Sequence, residues 1–141
     1  MSDDELLAAF DAVELSLEQF THRAHVRLAW ILLDREGFDT ALARLREGLP
    51  RLLEVFGITD APTQGYHETT THAFLQLVDV TNRAYQSEME SSNSEAFCVA
   101  HPQLQSSKVL RLFYSPARRM DPRAKSEFLE PDLAPLPRFP Q

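Results

Sequence analysis

The sequence predicts an all-α single domain: a bundle of five or six helices followed by an extended, proline-rich tail. Three observations predict it. Apolar residues recur three and four apart through most of residues 1–129, the spacing that gives a helix one apolar face. No run alternates apolar and polar residues as a half-buried strand does. Helix punctuation stands where the pattern needs it, with Ser2, Thr21, Asp39 and Asp121 as openers and Gly37 and Gly57 as stops. A chain of 141 residues is long enough for one sizeable core. Residues 1–129 are expected to form the bundle, and 130–141 to pack on it or trail from it.

Ser2, with Glu5 three residues later, makes a capping box for a first helix carrying Leu6, Leu7, Phe10 and Val13. Thr21 caps a second helix from about His22 to Glu36, which Gly37 stops. Its inward stripe is His25, Leu28, Ala29, Leu32 and Glu36, with His22 one turn earlier on the same side. Asp39 opens a third helix through Leu42, Leu45, Leu49, Leu52, Leu53 and Phe56. Pro50 lacks an amide hydrogen and meets the carbonyl of Arg46, so a kink or split is expected there. After a loop over 58–65, a fourth helix runs from near Tyr66 to about Met89. It turns His67, Thr70 or Thr71, Phe74, Leu77 or Val78, Thr81 and Tyr85 inward. Its run of three threonines is a poor helix former, a local conflict of the kind found at functional sites and also produced by packing.

A polar linker, 88–94, leads to a short helix over Glu95 to Ala100. Pro102 interrupts, and Leu104 to Tyr114 resumes helix. Asp121 and Pro122 open a last helix to about Leu129. The prolines from Pro131 onward exclude helix, and Leu133, Leu136 and Phe139 are placed to dock the extended tail on the bundle.

Charge and composition narrow the function classes. The balance is 14 basic against 21 acidic residues, opposite to the basic face a nucleic-acid binder needs. Arg118, Arg119, Arg123 and Lys125 read as a solvated, partly ion-paired helix face. No apolar stretch approaches the ~20 residues of a membrane span, and the acidic start is unlike a secretory leader. A cytoplasmic protein without nucleic-acid or membrane partners is expected. The single cysteine, Cys98, lies in an apolar run and reads as a buried small hydrophobe. The four glycines are isolated, so no phosphate loop announces a cofactor, and the cofactor stays unknown.

The chemistry lies in the histidines at 22, 25, 67, 72 and 101. His22 and His25 are neighbours on one helix, and His67 opens another on its inward stripe. If those faces meet, His22, His25 and His67 form a ligand set that zinc, iron or copper would accept. A metal-free alternative makes His25 or His67 an acid/base with Glu68 as its orienting carboxylate. His67 and His72 are five apart, about 140° round a helix, which excludes the His-Glu-x-x-His arrangement. Arg23, Arg27 and Arg83 are candidate anchors for an acidic substrate, although Arg23 and Arg27 point away from His25. Against these stand ordinary roles: first-turn histidines cap helices, and buried ones pack with a hydrogen-bond partner. His72 reads as exposed and His101 as a helix-boundary residue before Pro102. A small-molecule-binding protein or small enzyme follows from the cluster. The alternative is a non-catalytic helical subunit that stabilises a larger protein partner, recognisable by an exposed apolar patch.

The segments Thr-His-Arg-Ala-His-Val-Arg-Leu-Ala-Trp at 21–30 and Gly-Tyr-His-Glu-Thr-Thr-Thr at 65–71 resemble a family of small bacterial one-domain proteins of unassigned function. The resemblance continues through His101-Pro102, Phe113-Tyr114-Ser115 and the Glu-Pro-Asp-Leu-Ala-Pro-Leu-Pro run from Glu130. It implies recurring polar positions at His22, His25, His67 and Glu68, and it implies no activity. Phe113 stands where such proteins tend to carry a second tyrosine.

Overall fold

A computed structural model describes residues 1–139. Pro140 and Gln141, the end of the predicted tail, lie outside the described residues. These form one helical domain with seven α-helices, no strand, and a single isolated bridge between Ala61 and Gln64. The helices are α1 (Asp3–Asp11), α2 (His22–Glu36), α3 (Phe38–Val55), α4 (Glu68–Tyr85), α5 (Ser94–Ala100), α6 (Pro116–Arg119) and α7 (Pro122–Ser126).

α2 is the axis of the molecule. It touches α1, α3, α4 and α5, and Leu28, Ala29, Trp30, Ile31 and Leu32 are consecutively buried. A helix apolar all round in its middle is a core helix. Thr21 caps it by accepting from the Ala24 amide at 3.2 Å, and Trp30 donates its indole N–H to Asn82 at 3.1 Å. The capping box of α1 is present, with Ser2 and Glu5 exchanging bonds of 2.8 and 3.1 Å.

Gly37, at φ +81°, ends α2 and is itself the N-cap of α3. α3 therefore opens two residues before the expected cap Asp39 and continues unsplit past Pro50. Gly48 has a different task. A Cβ there would sit inside the Phe10 ring, so its absence lets α1 lie against α3.

Other boundaries also moved. α4 ends at Tyr85 rather than near Met89, and its buried face runs through Glu68, Thr69, Ala73, Leu77 and Val78, while Thr70 is exposed. Residues 104–114 do not resume an α-helix but hold short 3-10 turns at Pro102–Leu104 and Val109–Leu112. α6 is a single turn, capped by Ser115. α7 stops at Ser126 rather than Leu129.

The described part of the tail packs on the bundle. Leu133 donates its amide to the Phe113 carbonyl at 2.9 Å, Gln76 donates to the Pro137 carbonyl at 3.1 Å, and Leu136 is buried. Leu133 and Phe139 remain exposed, contrary to the expectation that they would dock. Hydrogen bonds to its backbone, the Asp132 carboxylate accepting from Ser115, and one apolar anchor hold this segment.

Candidate functional site

A cleft of about 410 Å³ opens between α2, α3 and α4. His22, His25, Leu28 and Ala29 form its α2 wall, Leu45, Leu49 and Leu53 its α3 wall, and Thr70, Thr71 and Phe74 its α4 wall. Ser107 and Leu110, from the turns after α5, complete the lining. The helix beginnings that carry His22, His25 and His67 thus face one hollow. No Asp, Glu, Lys or Arg among the described residues lines it.

The three rings differ in what they have left to offer. His67 is the N-cap of α4. Its Nδ1 accepts from the Thr70 amide at 3.1 Å and lies 2.9 Å from the Thr70 hydroxyl. Its Nε2 lies 3.1 Å from the Arg119 carbonyl and must carry the proton to bond there. Both nitrogens are engaged, and burial holds the ring's pKa below its ordinary value. The expected acid/base or ligand at His67 is in this structure a cap that also tethers α6.

His22 donates from Nε2 to the Leu104 carbonyl at 2.9 Å and sets its ring edge-on to Phe74. Its Nδ1 is then the unprotonated nitrogen.

His25 stacks on Phe20 with ring centroids 3.8 Å apart. Neither of its ring nitrogens has a hydrogen-bond partner among the described residues. One face of the ring is covered by Phe20, while the residue as a whole is exposed and lines the cleft. Desolvation, with the neighbouring His22 adding to it, pushes its pKa down to about 4. It is neutral at physiological pH.

Glu68 is not in the cleft lining. It is the first residue of α4, just after the His67 cap, and is buried at 6% exposure. Arg46 grips its Oε2 through Nε and Nη2 at 2.8 and 2.6 Å, and Tyr66 donates to its Oε1 at 2.8 Å. Burial raises its pKa, but these three bonds and the Arg46 charge hold it below the ordinary range. The expected pairing of Glu68 with His25 or His67 is replaced by a lock between α3 and α4.

The expected metal set does not form either. Among the described residues no three His, Cys, Asp or Glu side chains group closely enough to hold a metal ion. His67 spends both nitrogens elsewhere, which leaves His22 and His25 without a third ligand.

The remaining candidates are tied into the scaffold. Arg23 pairs with Glu95, and Arg27 bonds Ser94 at 2.8 Å and the Met1 carbonyl at 2.7 Å. Arg83 pairs with Asp79 within its own helix. Lys125 pairs with Asp60, and Arg123 with Asp121, so that basic face is partly ion-paired, as expected. Cys98 is buried. His72 is not exposed as expected: it stacks on Phe128 at 3.9 Å, and its buried Nδ1 has no partner among the described residues. His101, at the boundary of α5, is fully buried against Phe97 and Tyr85.

Sequence reasoning found the α2 and α4 walls but missed the Phe20 stack, the α3 wall and Ser107. Phe20 precedes the Thr21 cap, outside any helical stripe, and Ser107 lies in a turn with no periodicity to betray it. No family model, curated protein or solved structure matches this chain. No helix among the described residues is long and apolar enough to cross a membrane.

Proposed function

We propose that this protein binds a small, largely apolar molecule in the cleft between α2, α3 and α4, with His25 as its polar contact. The observation that carries this is the imidazole of His25, unpartnered among the described residues, in a lining that is mostly apolar and holds no charged side chain. The ring is presented to the hollow with neither nitrogen used by the protein, so it can exchange water for a hydrogen bond to a guest. The volume falls in the range of small-molecule sites, at its lower end. At roughly 30 Å³ per water, the cleft has room for about fourteen waters, or a ligand with a comparable number of non-hydrogen atoms.

Binding is favoured over acid–base turnover. A general base works best with a pKa near the working pH, and His25 at about 4 holds a proton too weakly. The test is fluorescence titration with the neutral probe N-phenyl-1-naphthylamine. Saturable enhancement at one probe per chain is expected. Leu49→Trp, which fills the cleft, should abolish it while far-ultraviolet circular dichroism is unchanged; Ala29→Leu serves if that variant misfolds. Absence of saturation, or a titration indifferent to filling, refutes the reading.

A second reading, a subunit that supports a larger protein, has the exposed Leu112, Met120 and Leu133 of the C-terminal third in its favour. It leaves the open His25 ring without a purpose.

A further inference from the structure

We infer that the ligand of this cleft is an uncharged, flat aromatic alcohol, its hydroxyl held between His25 and His22 and its ring between Phe20, Phe74 and Tyr66. This rests on the binding reading above and names the chemical class it takes.

The polar inventory of the wall decides the class. Tyr66 spends its hydroxyl on Glu68, and Thr70 and His67 spend theirs on each other and on backbone. What remains is His25 with both nitrogens free and His22 with Nδ1 free on the α2 wall, with the Ser107 hydroxyl elsewhere in the lining. A neutral imidazole offers one N–H and one lone pair. Two such rings side by side offer acceptors and a donor, which match a hydroxyl that donates once and accepts once.

The absence of any Asp, Glu, Lys or Arg in the lining sets the charge of the guest. A carboxylate there would need a cation, and the nearest source is a proton on His25. Desolvation lowers the His25 pKa, so at pH 7 the ring is mostly neutral. Supplying that proton would weaken an acid's binding. An ammonium meets no carboxylate. The aromatic character follows from the walls: His25 lies flat on Phe20, and His22 meets the edge of Phe74. Offset and edge-on contacts of this kind favour a planar π-system over an aliphatic chain of equal area.

The experiment compares naphthalene, 2-naphthol and 2-naphthoate, which share one ring system, by calorimetry and by nitrogen-15 shifts of labelled histidines at pH 7. The inference expects 2-naphthol to bind about fivefold tighter than naphthalene, the worth of one net hydrogen bond. It expects 2-naphthoate to bind at least a hundredfold weaker than 2-naphthol. The His25 nitrogens should shift on adding 2-naphthol and those of His67 should not. His25→Phe should erase the preference for 2-naphthol while retaining naphthalene. Equal affinities for naphthalene and 2-naphthol overturn the hydroxyl assignment and leave the cleft a binding site. Naphthoate binding as tightly as naphthol overturns the charge assignment. If none of the three binds, this inference fails; the N-phenyl-1-naphthylamine titration then decides separately whether the binding reading fails with it.

Discussion

Acidification from pH 7 to pH 5 should destabilise the protein, and replacing His25 should remove a measurable part of that loss. His25 titrates near 6.5 when unfolded and at about 4 when folded. Between those values the unfolded chain binds a proton that the folded chain refuses. Stability therefore rises with pH across the window and falls as pH is lowered through it. From 6.5 down to 5 the loss is at most about 1.36 × 1.5, or roughly 2 kcal/mol. The ring faces the solvent of the cleft, and screening reduces this to about 1 kcal/mol. His67, His72 and His101 are lowered too and act in the same direction, so the wild-type slope is a sum. The shifted carboxylates, Asp3 and Glu68 among them, lie below their ordinary values of 3.8 and 4.5, so their contribution fades only at still lower pH. Urea unfolding at pH 7, 6 and 5 of the wild type and His25→Asn isolates the term. The wild type should lose about 1 kcal/mol more than the variant at unchanged m-value. Parallel losses, or a wild type stabilised by acid, would refute the assignment of His25 as a desolvated neutral ring.

Three further predictions concern the scaffold around the cleft. His67→Ala should cost about 1 kcal/mol through loss of the α4 cap, and His67→Asn should recover most of it in thermal melts, because Asn is a good N-cap; failure of Asn to rescue would point to a role for the ring beyond capping. Arg46→Ala strands the buried Glu68 carboxylate with only Tyr66. Arg46 is itself half exposed, so the cost is set at about 2 kcal/mol, below that of a fully buried pair; urea unfolding reads it, and probe binding at saturation should be unchanged. Gly48→Ala, which in an exposed helix interior would gain about 1 kcal/mol, should instead destabilise, because the new methyl meets Phe10; a raised melting temperature would show that α1 shifts freely.

The helical architecture was legible because local physics wrote it. Ser2 with Glu5, Thr21 and Gly37 cap or close helices by bonds within a few residues of themselves, and such bonds leave a spacing in the chain. The 104–114 stretch misled because Leu110 and Tyr114 are buried by tertiary contacts, not by a helical face. Asp39 was a good cap residue displaced by a glycine already turned to positive φ. The meeting of His22, His25 and His67 at one hollow was legible from two apolar stripes interrupted by imidazoles. What each ring bonds was not. The Leu104 and Arg119 carbonyls lie 82 and 52 residues away, and nothing in the neighbouring sequence marks a backbone oxygen as an acceptor.

The hydrogen bonds, more than the histidines, decide what the cleft can do. Along 65–71 nearly every polar side chain fastens a different part of the chain. Glu68, steadied by the Tyr66 hydroxyl, holds Arg46 of α3, and His67 holds the Arg119 carbonyl of α6. Thr69 donates to the Glu127 carbonyl at 2.8 Å and accepts from the Leu129 amide at 3.1 Å. Along 21–30 the pattern repeats: His22 ties Leu104, Arg23 ties Glu95, Arg27 ties Ser94 and the Met1 carbonyl, and Trp30 ties Asn82. These two segments read as motifs because they staple the bundle, and stapling needs polar atoms at fixed positions as surely as catalysis does. His25 is the exception. It sits among the staples with a polar ring, at a wall where Leu would pack well, and fastens nothing. Every neighbour's bonding reduces that wall's mobility, so the ring is presented to the hollow by a rigid frame. Pre-organisation of this kind favours ligand affinity, because little ordering remains to oppose binding.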